Sequence, residues 1–424
     1  MSTQYESSRL VITNTSIVSP HGTREGWVLI QDGRIQAVGH GEPPAGPRVD
    51  LHGSTLRPGY IDLHCHGGGG ATVYTGDVDD VIKVASTHLL HGTTSMMASL
   101  TAAPKDALVR GAQSIVEAAA TGRASNLAGI HFEGPFLSEH RPGAQPKWNL
   151  RSVDRNELEE LLIASGTMPV SMTIAPELPG AVSLIARYSD RVKFFIGHTD
   201  ATARQFDEAV DAGATAVTHL FNAMPPVHHR KPGPVVRALL DERVTSELIL
   251  DGHHLDANTL LLALSVAGPG RLFLVTDAMA AAGMVDGEYC MPGLRVTVQH
   301  GAAYVHGTST LAGSALLMDQ AVERLISVAP GNDQHVSLMS AANAARVMGW
   351  TDRGSIEAGK FADLVATDER GRLHMVISRG VVITDVAARG WAAQCAIVAA
   401  ARAPDTADAS ASPFNCAGST PYSW

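Results

Sequence analysis

Eight short apolar runs, each followed by a stretch with helical spacing, fill the middle of this chain. The runs fall at 60–66, 93–100, 129–136, 170–177, 192–199, 216–223, 247–254 and 272–277. Between them lie segments rich in Ala, Leu, Val and charged residues, such as 203–213. Parallel strands need crossovers of roughly a dozen residues or more, and eight strands with room for a helix after each is the number that closes a (β/α)8 barrel. An α/β protein with a TIM barrel over 57–354 is the expectation.

The two ends of the chain read differently. Residues 9–39 are short strands joined by tight turns, and Gln31-Asp32-Gly33-Arg34 between two apolar runs is a hairpin signal of the Asp-Gly type. Strand patterns return at 361–366 and near 375–383. Segments 1–56 and 355–400 are expected to pair into one small β-sandwich domain bracketing the barrel. From 401 the composition turns to Ala, Ser, Pro, Asp and Thr, so 401–424 is expected to be a disordered tail.

Ionisable residues end most of the apolar runs. Asp62, His64 and His66 close the first, Glu133 lies in the third, and Glu177 ends the fourth. His198 falls in the fifth, His219 in the sixth, His253 and His254 end the seventh, and Asp277 ends the eighth. A lone histidine at a strand end is usually a hydrogen-bonded structural residue. Recurrence on at least six of eight strands is a different matter, because barrel active sites collect at the C-terminal strand ends. Imidazoles and a carboxylate make a three-ligand metal site with a position left for water, and bound zinc lowers the pKa of that water from roughly 15.7 to about 7. His64 and His66, two apart on a strand, point the same way. Asp277, flanked by Thr276 and Ala278, is the candidate for moving protons. Blander readings fit other residues: His131 as a structural neighbour of Glu133, Glu177 as a turn-closing or orienting group, His88 and His91 as surface or packing residues, Met96 and Met97 as core.

Composition excludes several classes. With 45% hydrophobic and 17% charged residues the chain has the balance of a well-buried soluble enzyme. No apolar run approaches the roughly 18 residues of a membrane span, the first nine residues lack a signal core, and the four scattered cysteines make no CxxC pair. A cytoplasmic location without membrane contact is expected. A net charge of −10 argues against nucleic acid. Only the basic island His228-His229-Arg230-Lys231 runs against that balance, and it suits a small anion.

These motifs resemble a known family. The segment 57–66, Arg-Pro-Gly-Tyr-Ile-Asp-Leu-His-Cys-His, is similar to the opening signature of the amidohydrolase superfamily, and 354–365 to its closing signature. Within it, His131-Phe132-Glu133-Gly134-Pro135-Phe136, Ala175-Pro176-Glu177, Gly197-His198-Thr199, the segment 218–224, Asp251-Gly252-His253-His254 and Thr276-Asp277-Ala278 resemble, in order, the N-acetylglucosamine-6-phosphate deacetylases. The resemblance covers roughly 9–390. It implies a metal-dependent hydrolase of amino-sugar catabolism that frees acetate from N-acetyl-D-glucosamine 6-phosphate. Glu133, His198 and His219 would hold the main divalent ion, zinc by expectation, and His64 and His66 would match the branch with a second one. Asp277 would be general base and then general acid. Asn222, Ala223, His254 and Leu311 would contact the sugar or phosphate. Arg230 would reach the phosphate in a neighbouring subunit's site, which implies a homodimer.

One position departs from the family, whose members often carry a histidine that polarises the acetyl carbonyl. Here Gly143-Ala144 is followed by Gln145, whose amide can still donate a hydrogen bond. The rivals are a deacetylase of the galactosamine isomer, another metal-dependent amidohydrolase, and a non-catalytic scaffold. Many two-metal relatives use a carboxylated lysine on the fourth strand, and 170–177 has none. A scaffold would be expected to lose ligands that this chain keeps.

Overall fold

The computed structural model describes residues 9–20 and 22–385. Eight parallel strands form the central sheet: β1 (Tyr60–Cys65), β2 (Thr93–Thr101), β3 (Leu127–Glu133), β4 (Val170–Ile174), β5 (Val192–Ile196), β6 (Ala216–Val217), β7 (Thr245–Ile249) and β8 (Leu272–Val275). Each pairs with its sequence neighbour, and the ring closes one step beyond the strands themselves. There the Asp277 amide donates to the His64 carbonyl and the His66 amide to the Ala278 carbonyl, both at 2.8 Å. Every residue of β1, β2, β4, β7 and β8 is buried, as strands covered on both faces must be.

A helix follows each strand, from Val78–Leu90 after β1 to Met318–Val328 after β8. Their starts carry the local chemistry that a helix needs. Asp77, Asp154 and Asp256 accept from the first free amides, and Thr202 forms a capping box with Gln205. The apolar run 216–223 is strand only over Ala216–Val217, because left-handed backbone at His219 (φ 27°), Phe221 (φ 78°) and Ala223 (φ 51°) ends the ladder.

The chain ends form a second eight-stranded sheet. Its C-terminal strands Val381–Asp385, Leu373–Ser378 and Leu364–Thr367 lead through Thr55–Pro58 to the N-terminal strands. The seam is the antiparallel pairing of Leu364–Thr367 with Thr55–Pro58. This sheet encloses its own core, including Leu10, Ile12, Ile30, Leu56, Leu364 and Ile377. The expected Asp-Gly hairpin is present, with Asp32 (φ 49°) and Gly33 (φ 74°) both left-handed as a type I′ turn requires. Buried Arg57 ties its strand to the neighbouring one through Thr367 and to the helix Asp333–Ser337 through Asp333. The segment expected as a tail, 401–424, lies outside the described residues. Among the described residues, no helix is long and apolar enough to cross a membrane.

One element has no counterpart in the expected count. A three-stranded antiparallel sheet, Gly287–Met291, Leu294–Gln299 and Ala302–Val305, is inserted between β8 and its helix, with a small core around Met279, Tyr289 and Val296.

Candidate active site

The C-terminal ends of β1, β3, β5, β6 and β8 bring six ionisable side chains to one point. Glu133 is the last residue of β3, and its Oε1 lies 3.0 Å from His198 Nε2 and 3.1 Å from His219 Nε2. His64 and His66 stand across from them, with Nε2 atoms 3.4 and 3.5 Å from Glu133 Oε1 and Oε2. Asp277 Oδ1 completes the group at 3.2 Å from His66 Nε2 and 3.6 Å from His64 Nε2. His198 (φ 46°), His219 and Asp277 (φ 48°) all take left-handed backbone two residues past their strands. That conformation is uncommon for residues other than glycine and turns these side chains inward over the barrel mouth.

The outer ring nitrogens fix how the imidazoles present themselves. His64 Nδ1 donates to Glu247 Oε2 at 3.0 Å, His66 Nδ1 to the Ser99 carbonyl at 2.8 Å, and His198 Nδ1 to the Arg141 carbonyl at 3.0 Å. Each acceptor can only accept, so in the neutral ring the lone pair sits on Nε2 and faces the centre. Nε2 of His64 and of His66 are 3.0 Å apart, and those of His198 and His219 3.1 Å. For His64 and His66 that is lone pair against lone pair, which at that distance repels unless a cation or proton lies between. The donor set therefore fits a metal: Glu133, His198 and His219 form one buried group with ligand atoms within 4.8 Å of one another, and His64, His66 and Glu133 another.

In the absence of an ion, the carboxylates and imidazoles of the cluster offset one another's charge. Burial alone would raise the Glu133 pKa, but His64 and His198 hold it well below the ordinary carboxylate value. Burial would likewise raise Asp277, and His64 and His66 pull it below its usual range. His64 runs the other way: burial lowers its pKa, yet Glu247, Asp277 and Glu133 lift it well above normal.

These groups open on a cavity of about 280 Å³ lined by His66, Glu133, His198, His219 and Asp277. Gln145, Asn222, Ala223, His254 and Leu311 line it as well, so ten of the residues singled out from the sequence share one space. Met291, Pro292 and Leu294 of the inserted sheet form part of its wall. Gly143 (φ 56°) passes so near His198 that a Cβ there would lie 3.1 Å from the ring. His254 is braced by Asp251, which accepts from its Nδ1 at 2.7 Å. Arg230 is exposed, its Nη1 lies 2.7 Å from Nε2 of His229, whose ring stacks on that of His228, and it does not line the cavity of its own chain.

The remaining candidates serve the scaffold. Glu177 closes the turn after β5, accepting from Thr199 Oγ1 and the Asp200 amide. His131 is enclosed by Ser171 and Thr173, and burial together with His64 keeps it neutral. His88 is fully buried against Cys65 Sγ and the Gly67 carbonyl.

Sequence reasoning missed Glu247. This wholly buried carboxylate holds both sides of the site through a single oxygen, accepting from His64 Nδ1 and from the His219 backbone amide, each at 3.0 Å. A glutamate inside an apolar run was the available signal, but both of its partners are distant in sequence.

Residues 55–390 match the sequence model of the amidohydrolase family. The chain is 34% identical to the N-acetylglucosamine-6-phosphate deacetylase of Lysinibacillus sphaericus, over 88% of this chain and 97% of that one. It is 33% identical to the N-acetylgalactosamine-6-phosphate deacetylase of Escherichia coli O157:H7, over 82% and 93%. The solved N-acetyl-D-glucosamine-6-phosphate deacetylase of Mycobacterium smegmatis, in complex with N-acetyl-D-glucosamine-6-phosphate, matches at TM-score 0.84 and 37% identity, covering 89% of this chain and 100% of that one.

Proposed function

The chain belongs to the amidohydrolase family, and from that premise we propose that it hydrolyses N-acetyl-D-glucosamine 6-phosphate to D-glucosamine 6-phosphate and acetate. The observation that carries this reading is the meeting of the Glu133, His198 and His219 group with Asp277 on one cavity. Glu133, His198 and His219 hold the main divalent ion, zinc, and His64 and His66 offer a place for a second. A divalent ion bound there supplies Lewis-acid activation of water and of an amide carbonyl.

The chain's own residues do the rest. Asp277 is held as a carboxylate by His64 and His66 against the effect of burial, the form that accepts a proton from the attacking water. The same carboxyl then returns that proton to the departing amine as the C–N bond breaks. Gln145 offers an amide N–H at the cavity wall for the acetyl oxygen. Asn222, Ala223, His254 and Leu311 receive the sugar, with Nε2 of His254 left free by the Asp251 brace.

Arg230 binds the 6-phosphate from a second copy of the chain, because arginine's planar fork suits phosphate and this exposed one does not line its own cavity. A homodimer follows. Support comes from the loop's surroundings: helix Gly233–Leu240 packs beside helix Ala257–Ala267, and the pair exposes Leu240, Leu261, Leu262 and Val266. A phosphorylated sugar, which does not cross membranes unaided, suits a cytoplasmic enzyme.

Acetate release should be measured from N-acetylglucosamine and N-acetylgalactosamine, each with and without the 6-phosphate. Fastest turnover of the phosphorylated gluco isomer is expected. Preference for the galacto isomer would move the substrate to that epimer, and equal turnover without phosphate would remove the phosphate site. Arg230→Ala mixed with Asp277→Asn subunits should recover activity toward half of wild type. No recovery in demonstrated hybrids would place Arg230 in its own subunit's site.

A further inference from the structure

Gln145 is buried in the cavity wall, on the loop that follows β3. The partners of its amide fix which way round the group sits. The backbone amide of Ala102 can only donate, so the atom it reaches at 2.9 Å is the carbonyl oxygen Oε1. Nε2 therefore faces Glu133 and donates to its Oε2 at 2.5 Å. Glu133 is the carboxylate that the Nε2 atoms of both histidine pairs face. Oε1 serves His198 and His219 and is also the oxygen nearer to His64, at 3.4 Å, while Oε2 is the oxygen nearer to His66, at 3.5 Å.

We propose that Gln145 partitions the two oxygens of Glu133 and so sets how many ions the site holds. The amide engages Oε2 in a charge-assisted hydrogen bond, which draws electron density from that oxygen and fixes its direction. Oε1 stays fully available to an ion between His198 and His219. A second ion held by His64, His66 and Asp277 would find Oε1 already committed to the His198 and His219 side and Oε2 engaged by the amide, so the second site is the weaker one. The residue types alone would allow a symmetric pair, since each side offers two imidazoles. Asp277 stands on one side only, and Gln145 makes Glu133 itself asymmetric, reaching across from the Ala102 backbone to one oxygen only. It is a positioning residue for the metal site, apart from any contact its remaining N–H makes with substrate.

The inference rests on the reading that Glu133, His198 and His219 hold the main ion, and the test separates the two. Full-length protein is stripped of metal and titrated with zinc against a competing chelator, for wild type, Gln145→Met and His219→Ala. Methionine has similar length and no donor. Wild type should show one tight site and a second at least tenfold weaker. Gln145→Met should tighten the weak site about tenfold, the lower end of a charge-assisted hydrogen bond's worth, and leave the tight site within about threefold. If Gln145→Met does not fold, Gln145→Asn, too short to span both partners, takes its place with the same expectation. An unchanged or weaker second site, or loss of both sites together, overturns the partition. Tight binding that survives His219→Ala instead overturns the metal reading beneath it.

Discussion

The two histidine pairs at the barrel mouth offer the same atoms but are built by different means. His64 lies in β1 and His66 directly follows its last residue, two apart so that strand alternation puts them on one side, although the pairing of β1 with β2 shifts register between Asp62 and Cys65. His198 and His219 follow the short strands β5 and β6 and are aimed by left-handed backbone. The first pair is steadied by the Glu247 carboxylate and the Ser99 backbone carbonyl. The second depends on the loops, and His219 Nδ1 has no hydrogen-bond partner among the described residues. A pair set by strand geometry should tolerate loss of a neighbour. A pair set by backbone conformation should fail when the residue holding that backbone is lost.

The largest effect should come from Asp277, which touches only the strand-borne pair. Asp277→Asn should lose turnover by roughly 10²–10⁴-fold, the range for a positioned acid–base group, while keeping the ion at Glu133, His198 and His219. Activity above about a tenth of wild type, with metal content confirmed, would show that proton transfer runs through another group. Next in size is the ligand series. Glu133→Gln and His219→Ala should each strip the tightly held ion, whereas His64→Ala should lower only a second, weaker occupancy. Equal metal loss from all three would erase the distinction between the pairs.

Glu247 sharpens the comparison because it serves both pairs with one oxygen. Glu247→Gln keeps the shape but removes charge beside His64 and weakens the acceptor that holds the His219 amide. Loss of such an outer partner typically costs about 10- to 100-fold in metal affinity or activity. Both ions should weaken, the loop-borne one included. A change confined to the second site would mean that the His219 backbone holds its left-handed turn without help.

How much of this was legible follows from the physics of each residue. Strand-end histidines declare themselves because burial makes ionisable groups rare in apolar runs, and a barrel collects them at one end. The pairing of the chain ends was legible from Asp32-Gly33 and from strand patterns that returned late. Left-handed turns at His198, His219 and Asp277 carry no sequence signal, since no glycine marks them. Glu247 was hidden because one partner lies 183 residues away and the other is a backbone amide. The inserted sheet at 287–305 was masked by the eightfold count, which its strands did not fit.

The smallest effect tests the reverse side of β1, where Cys65 faces outward and His88 packs against it. His64 and His88 are both fully buried, yet their pKa values move in opposite directions. Burial depresses both, and only His64 has carboxylates to reverse it. His88 has the Gly67 carbonyl and Cys65 beside it, and burial takes it to about 4. The unfolded chain takes up that proton near pH 6.5. Between the two values the unfolded state binds more protons, so this contribution is complete above about pH 6.5 and is lost as the pH falls toward 4. At pH 5 the loss is about 2 kcal/mol, at 1.36 kcal/mol per unit. His88→Gln removes the titrating group, so between pH 7 and pH 5 its unfolding free energy in urea should drop by about 2 kcal/mol less than wild type's. Equal drops would mean that His88 gains its proton in the folded protein as easily as in the unfolded chain. Burial alone would then not separate the two faces of the strand.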